Sequence, residues 1–355
     1  MSTAKRLPIF LLTGFLGSGK TTLLNALLKE PRFANTAVVV NEFGEIGLDH
    51  FLIEQSQDNV VLLDAGCLCC TISDSLHETL AELHAKRVRG EVPAFERVVI
   101  ETTGLAQPAP ILDTLLGHRL VTTHYRLDAT IVTVDAQHAE TVLESQPEVI
   151  QQIAVADRLL VTKTDLAPGR DALTARLRAI NPAAELIESV MGAGAVEAFE
   201  PLPSRRLAGP GHALNPSIHT NAHVHDHDHD PSHTAHHSHD DRNRHDEHVR
   251  AHCMVIDDPA SWAGLAAWWR VLTARLGERL LRCKGLIRIA DTGEVVFIQG
   301  VQKVFHRPER LPVWPDADPR SRIVCIARDT SAEEIRSTLA ALQRPAGSAP
   351  DSATD

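Results

Sequence analysis

The sequence predicts a doubly wound α/β domain with a mostly parallel sheet, followed by a smaller α+β domain. Three observations predict it. From residue 7 to about 190, short and nearly continuous apolar runs alternate with amphipathic stretches, as strands buried on both faces alternate with covering helices. The composition then breaks: residues 200 to 216 are rich in Pro, Gly and Arg, and 13 of the chain's 20 histidines lie between His212 and His252. Beyond Cys253 apolar periodicity resumes for about 90 residues, the size of a small domain.

In the first region the expected strands are Ile9–Leu12, Ala37–Val40, Val60–Leu63, Val98–Ile100, Ala129–Val134, Leu159–Thr162 and Glu185–Glu188. Between them, helical spacing covers Thr21–Lys29, Asp74–Val88, Pro108–Leu116, Ala139–Ala156 and Ala172–Ile180. Right-handed crossovers would place all the strand C-termini, and any ligand, along one sheet edge. The tract His223-Val-His-Asp-His-Asp-His-Asp230 has almost nothing apolar to bury, so it reads as a linker that is disordered or ordered only by metal. In the second region a helix is expected over Ser261–Leu276, strands at Leu286–Ile289, Glu294–Gln299 and Ile323–Ala327, and a helix at Ala332–Leu342. The resulting division is 1–200, 201–252 for the linker, 253–342, and a frayed tail at 343–355.

Composition narrows the function. A net charge of -11 with no Lys/Arg block argues against nucleic acid as the main partner. No apolar run reaches the roughly 18 residues of a membrane helix. The short run Leu7–Leu12 leads into a glycine-rich loop, which reads as a strand and not a signal peptide, so a cytoplasmic protein is expected. In that compartment six cysteines are free thiols or metal ligands rather than a disulfide framework.

Gly14-Phe-Leu-Gly-Ser-Gly-Lys-Thr21 matches G-x-x-x-x-G-K-[ST] in full, after a strand and before an amphipathic helix. Glycines let backbone N–H groups curl around phosphates, and the helix N-terminus adds a favourable dipole. Lys20 would reach the β/γ-phosphates and the Thr21 hydroxyl would ligate Mg²⁺. Gly14, Gly17, Ser18, Gly19, Lys20, Thr21 and Thr22 are thus the nucleotide-binding candidates of a P-loop hydrolase. Glu101-Thr-Thr-Gly104 follows a strand on the same edge, and Glu101 stands where a Walker B acid holds the Mg²⁺ shell or positions water; Lys20 and Glu101 are the catalytic candidates. Thr162-Lys-Thr-Asp165 resembles the Asn-Lys-x-Asp guanine motif, with Thr162 in place of Asn. There Asp165 would accept from the two guanine amines while the Lys163 stem stacks on the ring, so GTP is expected over ATP. The Thr162 departure is expected to weaken loop anchoring more than base choice.

Gly66-Cys-Leu-Cys-Cys70 follows another strand of that edge. Cys67, Cys69 and Cys70 offer soft thiolates suited to Zn²⁺, Cu⁺ or Co²⁺; small buried side chains or a redox Cys67/Cys70 pair are the rival readings. Asn41-Glu-Phe-Gly-Glu-Ile-Gly-Leu-Asp49 reads as a loop able to sense the γ-phosphate, and Glu42 or Glu45 could complete a mixed S/O metal site; Asp64 is a further Mg²⁺ candidate. The His/Asp tract suits weak, multivalent metal binding.

Together these residues resemble the CobW family of P-loop GTPases, relatives of the nickel-delivery GTPases of hydrogenase and urease maturation. Cys283-Lys-Gly-Leu-Ile-Arg-Ile and Ile298-Gln-Gly-Val-Gln302 fit the resemblance too. It implies a slow GTPase that uses GTP, Mg²⁺ and Zn²⁺ (or Co²⁺), with the Cys-x-Cys-Cys thiolates holding a metal for a client metalloprotein. Zinc homeostasis, cobalt supply for cobalamin and nitrile hydratase maturation are the roles it suggests, and a nucleotide-dependent homodimer is the form common among such GTPases. A small-molecule kinase and a non-catalytic metal store are the rival functions; the first leaves the cysteines unexplained and the second makes Lys20 irrelevant.

Overall fold

The computed structural model describes residues 6–41, 61–64, 72–167, 169–200, 249–315 and 318–343. The elements of the first region are β1 (Leu7–Gly14), α1 (Lys20–Leu28), β2 (Thr36–Asn41), β3 (Val61–Asp64), α2 (Ile72–Arg89), β4 (Arg97–Thr102) and α3 (Pro108–Gly117). There follow α4 (Arg119–His124), β5 (Tyr125–Asp135), α5 (Ala139–Ser145), α6 (Pro147–Val155), β6 (Arg158–Thr162), α7 (Asp171–Ile180), β7 (Glu185–Ser189) and α8 (Ala195–Ala198). The seven strands form one sheet in the order β3-β2-β4-β1-β5-β6-β7, every pairing parallel. The chain runs outward in both directions from β1, which makes the end of β1 the topological switch point where ligands of such sheets bind.

Alternation along the strands divides the core. Phe10, Leu12, Ala129, Ile131 and Leu160 pack against α1 and α8 on one face. On the other face Ile9, Leu11, Val98 and Ile100 pack against α2 and α3, and Val132, Val134, Leu159 and Val161 against α5, α6 and α7. All seven expected strands are present: burial on both faces makes most of them nearly continuous apolar runs, while Glu185–Glu188, at the sheet edge, has a glutamate at each end. The single helix expected over Ala139–Ala156 is two helices: Gln146 is extended (φ -126°, ψ 98°) and Pro147 starts the second. Proline disfavours a helical residue before it, and that steric rule overrides the continuous apolar periodicity. α4 and α8 are too short to give a periodic signal.

The second region forms β8 (Val249–Ile256), α9 (Trp262–Leu276), β9 (Leu280–Arg288), β10 (Val295–Val301), β11 (Val304–Phe305), β12 (Glu309–Leu311), β13 (Ser321–Arg328) and α10 (Ala332–Thr338), with a 3₁₀ turn at Leu339–Gln343. Its sheet is antiparallel, in the order β11-β10-β9-β13-β8, with β12 beside β10. β8 begins at Val249, four residues ahead of the point where the composition places the end of the linker. One sheet face, with Cys283, Ile287, Val296, Ile298, Ile323 and Cys325, packs against α9. Ser261 and Ser331 cap α9 and α10, each accepting from the N–H three residues on (Gly264, 2.8 Å; Glu334, 3.0 Å).

The opposite face lies on the first domain. Leu281, Leu286, Val324 and Ile326 share a core cluster with Ile153, Ala154 and Leu177 of α6 and α7. Arg282 and Lys284, two and four residues before Leu286 on β9, point the same way as it does and meet Asp157 just beyond α6. Its Oδ1 accepts from Arg282 Nη2 at 2.8 Å and from Lys284 Nζ, while Oδ2 accepts from the Thr130 N–H at 2.7 Å. Burial pushes the Asp157 carboxyl up, but the two cations and the amide outweigh it and hold it below the usual carboxylate value of 3.8.

Asp157→Ala would leave two buried cations facing each other without an anion. It is expected to cost about 3–5 kcal/mol, read from the urea midpoint. A carboxyl with a depressed folded pKa stabilises above its unfolded pKa and stops doing so as pH falls. The wild-type margin over this variant should therefore be full at pH 7 and shrink below about pH 4.

Candidate functional site

The phosphate loop begins where β1 ends. Gly14 has φ 141°, and a Cβ there would stand 2.3 Å from Thr133 Oγ1 and 2.5 Å from Thr133 O, so only glycine lets the loop lie flush on β5. Gly17 (φ 70°) and Gly19 (φ 94°) carry the turn into α1 through left-handed backbone. Three threonines from three strand ends brace the turn. Thr102 of β4 donates to Thr13 Oγ1 at 2.8 Å, Thr133 of β5 shares a 2.6 Å hydrogen bond with Ser18 Oγ, and Thr162 of β6 donates to the Ser18 carbonyl at 2.8 Å. The residue that departs from the guanine motif thus anchors the loop with its own hydroxyl.

Lys20 opens α1, and its Nζ donates to the Gly14 and Phe15 carbonyls (2.9 and 3.2 Å), which holds the ammonium over the loop. Thr21 Oγ1 donates to Glu101 Oε1 at 3.1 Å, and Glu101 is buried at the end of β4. A hydroxyl and a carboxylate oxygen in contact, beside a ring of backbone N–H groups, are the hard donors that a Mg²⁺–nucleotide takes, so the residues present fit that group. Ser18 is buried, whereas Gly17 and Thr22 are exposed.

On the base side, Lys163 follows β6 in the left-handed region (φ 56°) and its Nζ pairs with Asp135 Oδ2 at 2.8 Å. That carboxylate also meets His138 Nδ1 at 2.9 Å and accepts the Gln137 N–H at 2.9 Å. Burial pushes the Asp135 carboxyl up, but these partners outweigh it and hold it below its ordinary value, so it stays anionic and fixes the lysine stem. Asp165 is exposed in the turn that follows. A wall that the sequence reading did not assign is the Ser189–Gly194 turn after β7. A Cβ on Gly192 would stand 2.4 Å from Ala26 Cβ, so the turn rests on α1, and it leaves Met191 84% exposed. Its signal in the sequence is the Gly192-Ala-Gly194 pair directly after a strand.

Glu42, Glu45, Cys67, Cys69 and Cys70 lie outside the described residues, as does the His/Asp tract. β2 and β3, which precede the first two groups, end in register with the phosphate side: Val40 pairs with both Asp64 and Glu101. Among the described residues no group of three or more His, Cys, Asp or Glu could hold a metal ion. The other three cysteines are unsuited to it. Cys283 and Cys325 are buried with their sulfurs 3.6 Å apart, and the contact with Cys283 together with burial pushes the Cys325 thiol well up. Burial pushes Cys253 up to about 11. Cys253 and Cys325 remain protonated thiols at neutral pH, and metals take thiolates. No helix among the described residues is long and apolar enough to cross a membrane.

Comparison with known proteins accords with this geometry. Residues 8–188 match the family model described as CobW/HypB/UreG, nucleotide-binding domain, and residues 249–343 the cobalamin synthesis protein cobW C-terminal domain. The chain is 31% identical over 336 residues to the zinc chaperone YjiA of Escherichia coli, covering 95% of this chain and 98% of that protein. It is 32% identical over 200 residues to the zinc-regulated GTPase metalloprotein activator 1 of Schizosaccharomyces pombe, covering 54% and 47%. The crystal structure of Zn(II)-bound YjiA GTPase from E. coli superposes with a TM-score of 0.69 at 27% identity, covering 96% of this chain and all of that one. A variant of YjiA with one glutamate and two cysteines replaced by alanine, also Zn(II)-bound, gives 0.66.

Thr162→Val keeps the bulk and removes the hydroxyl that holds the Ser18 carbonyl. GDP affinity should fall about five-fold, the equivalent of about 1 kcal/mol, in a fluorescent-nucleotide titration, whereas Thr162→Ser should retain it.

Proposed function

The chain belongs to the CobW/HypB/UreG family, and from that premise we propose that it is a GTPase that works as a zinc metallochaperone. It takes up Zn²⁺ at the Cys67/Cys69/Cys70 thiolates with Glu42, and it passes the ion to a client metalloprotein in the cytoplasm under control of the nucleotide. The observation that carries the reading is the Thr21–Glu101 contact beneath the phosphate loop, in register with the strand end that leads to the cysteines. Cys67 is three residues beyond Asp64 in the sequence, a reach of at most about 11 Å. Cargo and γ-phosphate are then neighbours on one sheet edge.

GTP binds with its triphosphate in the Gly14–Thr21 turn, and Lys20 exchanges the Gly14 and Phe15 carbonyls for phosphate oxygens. Mg²⁺, held by the Thr21 hydroxyl and by Glu101 directly or through water, would neutralise charge on the β- and γ-phosphates. Glu101 positions the attacking water. Asp165 selects guanine by accepting from its two amines, and Lys163, fixed by Asp135, lies along the ring. The Asn41–Asp49 segment senses the third phosphate and couples it to the cysteine turn, so GTP tightens metal binding and metal tightens GTP binding by the same factor. With no arginine finger evident in the sequence, intrinsic turnover is on the order of 10⁻⁴ to 10⁻² s⁻¹. YjiA and the activator carry zinc in their names, which favours Zn²⁺ over Co²⁺ as cargo.

The test is a metal titration of the metal-free full chain, with GDP or a non-hydrolysable GTP analogue. Zn²⁺ would be followed with a competing chelator and Co²⁺ by thiolate charge-transfer absorption. Binding should be about ten-fold or more tighter with the analogue, a coupling of about 1.4 kcal/mol, and Cys69→Ser should abolish the difference. Equal affinity with both nucleotides would sink the coupling. Lys20→Ala should abolish GTP hydrolysis without touching Zn²⁺ binding in the GDP state.

A further inference from the structure

Gln152 lies on α6 and is fully buried. Its amide nitrogen donates to the Gly104 carbonyl at 3.2 Å and to the Ala106 carbonyl at 3.1 Å, while its Oε1 has no partner among the described residues. Its neighbours Val149, Ile150, Ile153, Ala154 and Val155 are buried apolar residues. A leucine there would remove the unpartnered Oε1 but would strand the buried Gly104 and Ala106 carbonyls, so the amide answers to the turn and not to packing alone. What the amide adds is a fixed position for the turn that closes Glu101-Thr-Thr-Gly104.

That turn touches the phosphate loop. A Cβ on Gly104 would stand 2.4 Å from the Leu16 nitrogen and 2.8 Å from its Cα. Thr103, just before it, has a buried hydroxyl with no partner among the described residues. Gly104 therefore sits between the phosphate loop and the strand end that carries Glu101, and a shift of the turn moves both.

α6 is also one of the helices on which the second domain rests. Ile153 and Ala154 pack with Leu281, Leu286, Val324 and Ile326. Asn181 Nδ2 closes the end of α6 by donating to the carbonyls of Ile153 (2.8 Å), Ala154 (3.2 Å) and Ala156 (2.9 Å). Asp157 then takes Arg282 and Lys284 from β9. Four residues lie between Gln152, which holds the nucleotide-side turn, and Asp157, which holds β9, and that segment is capped and packed.

We propose that Gln152 is a positioning residue for the Gly104 turn, and that through it the seating of the C-terminal domain on α6 sets the rate of hydrolysis. The inference rests on the reading of the protein as a GTPase. It gives the C-terminal domain a role in timing: a partner that shifts β9 against α6 alters turnover without touching the nucleotide.

The experiment is GTP hydrolysis by the full chain, steady-state and single-turnover, for wild type, Gln152→Leu, Lys284→Gln and the double variant. Failure of the wild type to hydrolyse GTP would overturn the GTPase reading itself, apart from anything about Gln152. With the wild type active, Gln152→Leu should lower kcat about ten-fold while KM for GTP and Kd for GDP stay within about two-fold. Lys284→Gln should lower kcat about three-fold, and the double variant should be no slower than Gln152→Leu alone, because the path is already cut. An unchanged kcat in Gln152→Leu overturns the inference, and so does a parallel loss of kcat and nucleotide affinity, which is what general loosening would give. Multiplying effects in the double variant overturn the coupling to the second domain. Gln152→Met, of the same length and unbranched, supplies the same readout should the leucine variant not fold.

Discussion

The hold of three strand ends on the phosphate loop is the constraint on which the rest of the site depends. Backbone N–H groups bind a phosphate only if they are already aimed at it, and a glycine-rich turn has no conformational preference that would aim them. Thr102, Thr133 and Thr162 supply the aim, each from a different strand and each by a short hydrogen bond. All are buried, so these bonds form in a low dielectric and do not exchange with water. Order in the turn comes from the parallel sheet, whose register sets Thr133 beside Gly14 and carries Thr162 two residues further, beside Asp135.

The same register explains why one edge can serve two chemistries. Parallel pairing aligns Asp64, Val40 and Glu101, so the strand end that leads to the cysteines and the one that carries the acid at the phosphates finish side by side. A nucleotide that reorganises one strand end has little distance to cover before it affects the next. Conformational coupling needs a contiguous element with two arrangements, and an edge of adjacent strand-end loops is a short one.

Much of this was legible in the sequence, and the exceptions share a cause. Apolar runs such as Val98–Ile100 and Leu159–Val161 stood out because burial on both faces leaves no polar position in them. The phosphate-loop motif Gly14–Thr21 stands out in the sequence because phosphate chemistry asks for particular atoms at fixed spacing. β9 was read too short: Arg282 and Lys284 look like solvent-facing residues, and a strand starting at Leu286 avoids them. They are buried against Asp157, an arrangement that alternation cannot reveal, because pattern reading takes a charge to mean water. Thr162 was read as a departure from a motif, while its hydroxyl does the anchoring. Gln152 was invisible for the same reason: an amide on an amphipathic helix is ordinary until its two carbonyl partners, 48 and 46 residues away, are known.

A buried ion cluster is a poor way to add stability, since the cost of desolvating three charges offsets much of their attraction. Apolar residues of the same volume would join α6 to β9 at least as firmly. What the cluster provides instead is geometry. Apolar contacts tolerate sliding, whereas Asp157 can satisfy Arg282, Lys284 and the Thr130 N–H together only in one register of the two domains. Six residues of chain, Gln152 to Asp157, then carry two polar constraints of opposite address, one on the nucleotide turn and one on the C-terminal sheet. A helix held that tightly at both ends moves as a unit. On the proposed coupling, a displacement of the C-terminal sheet reaches Gly104 through that helix, and a displacement of Gly104 reaches the sheet.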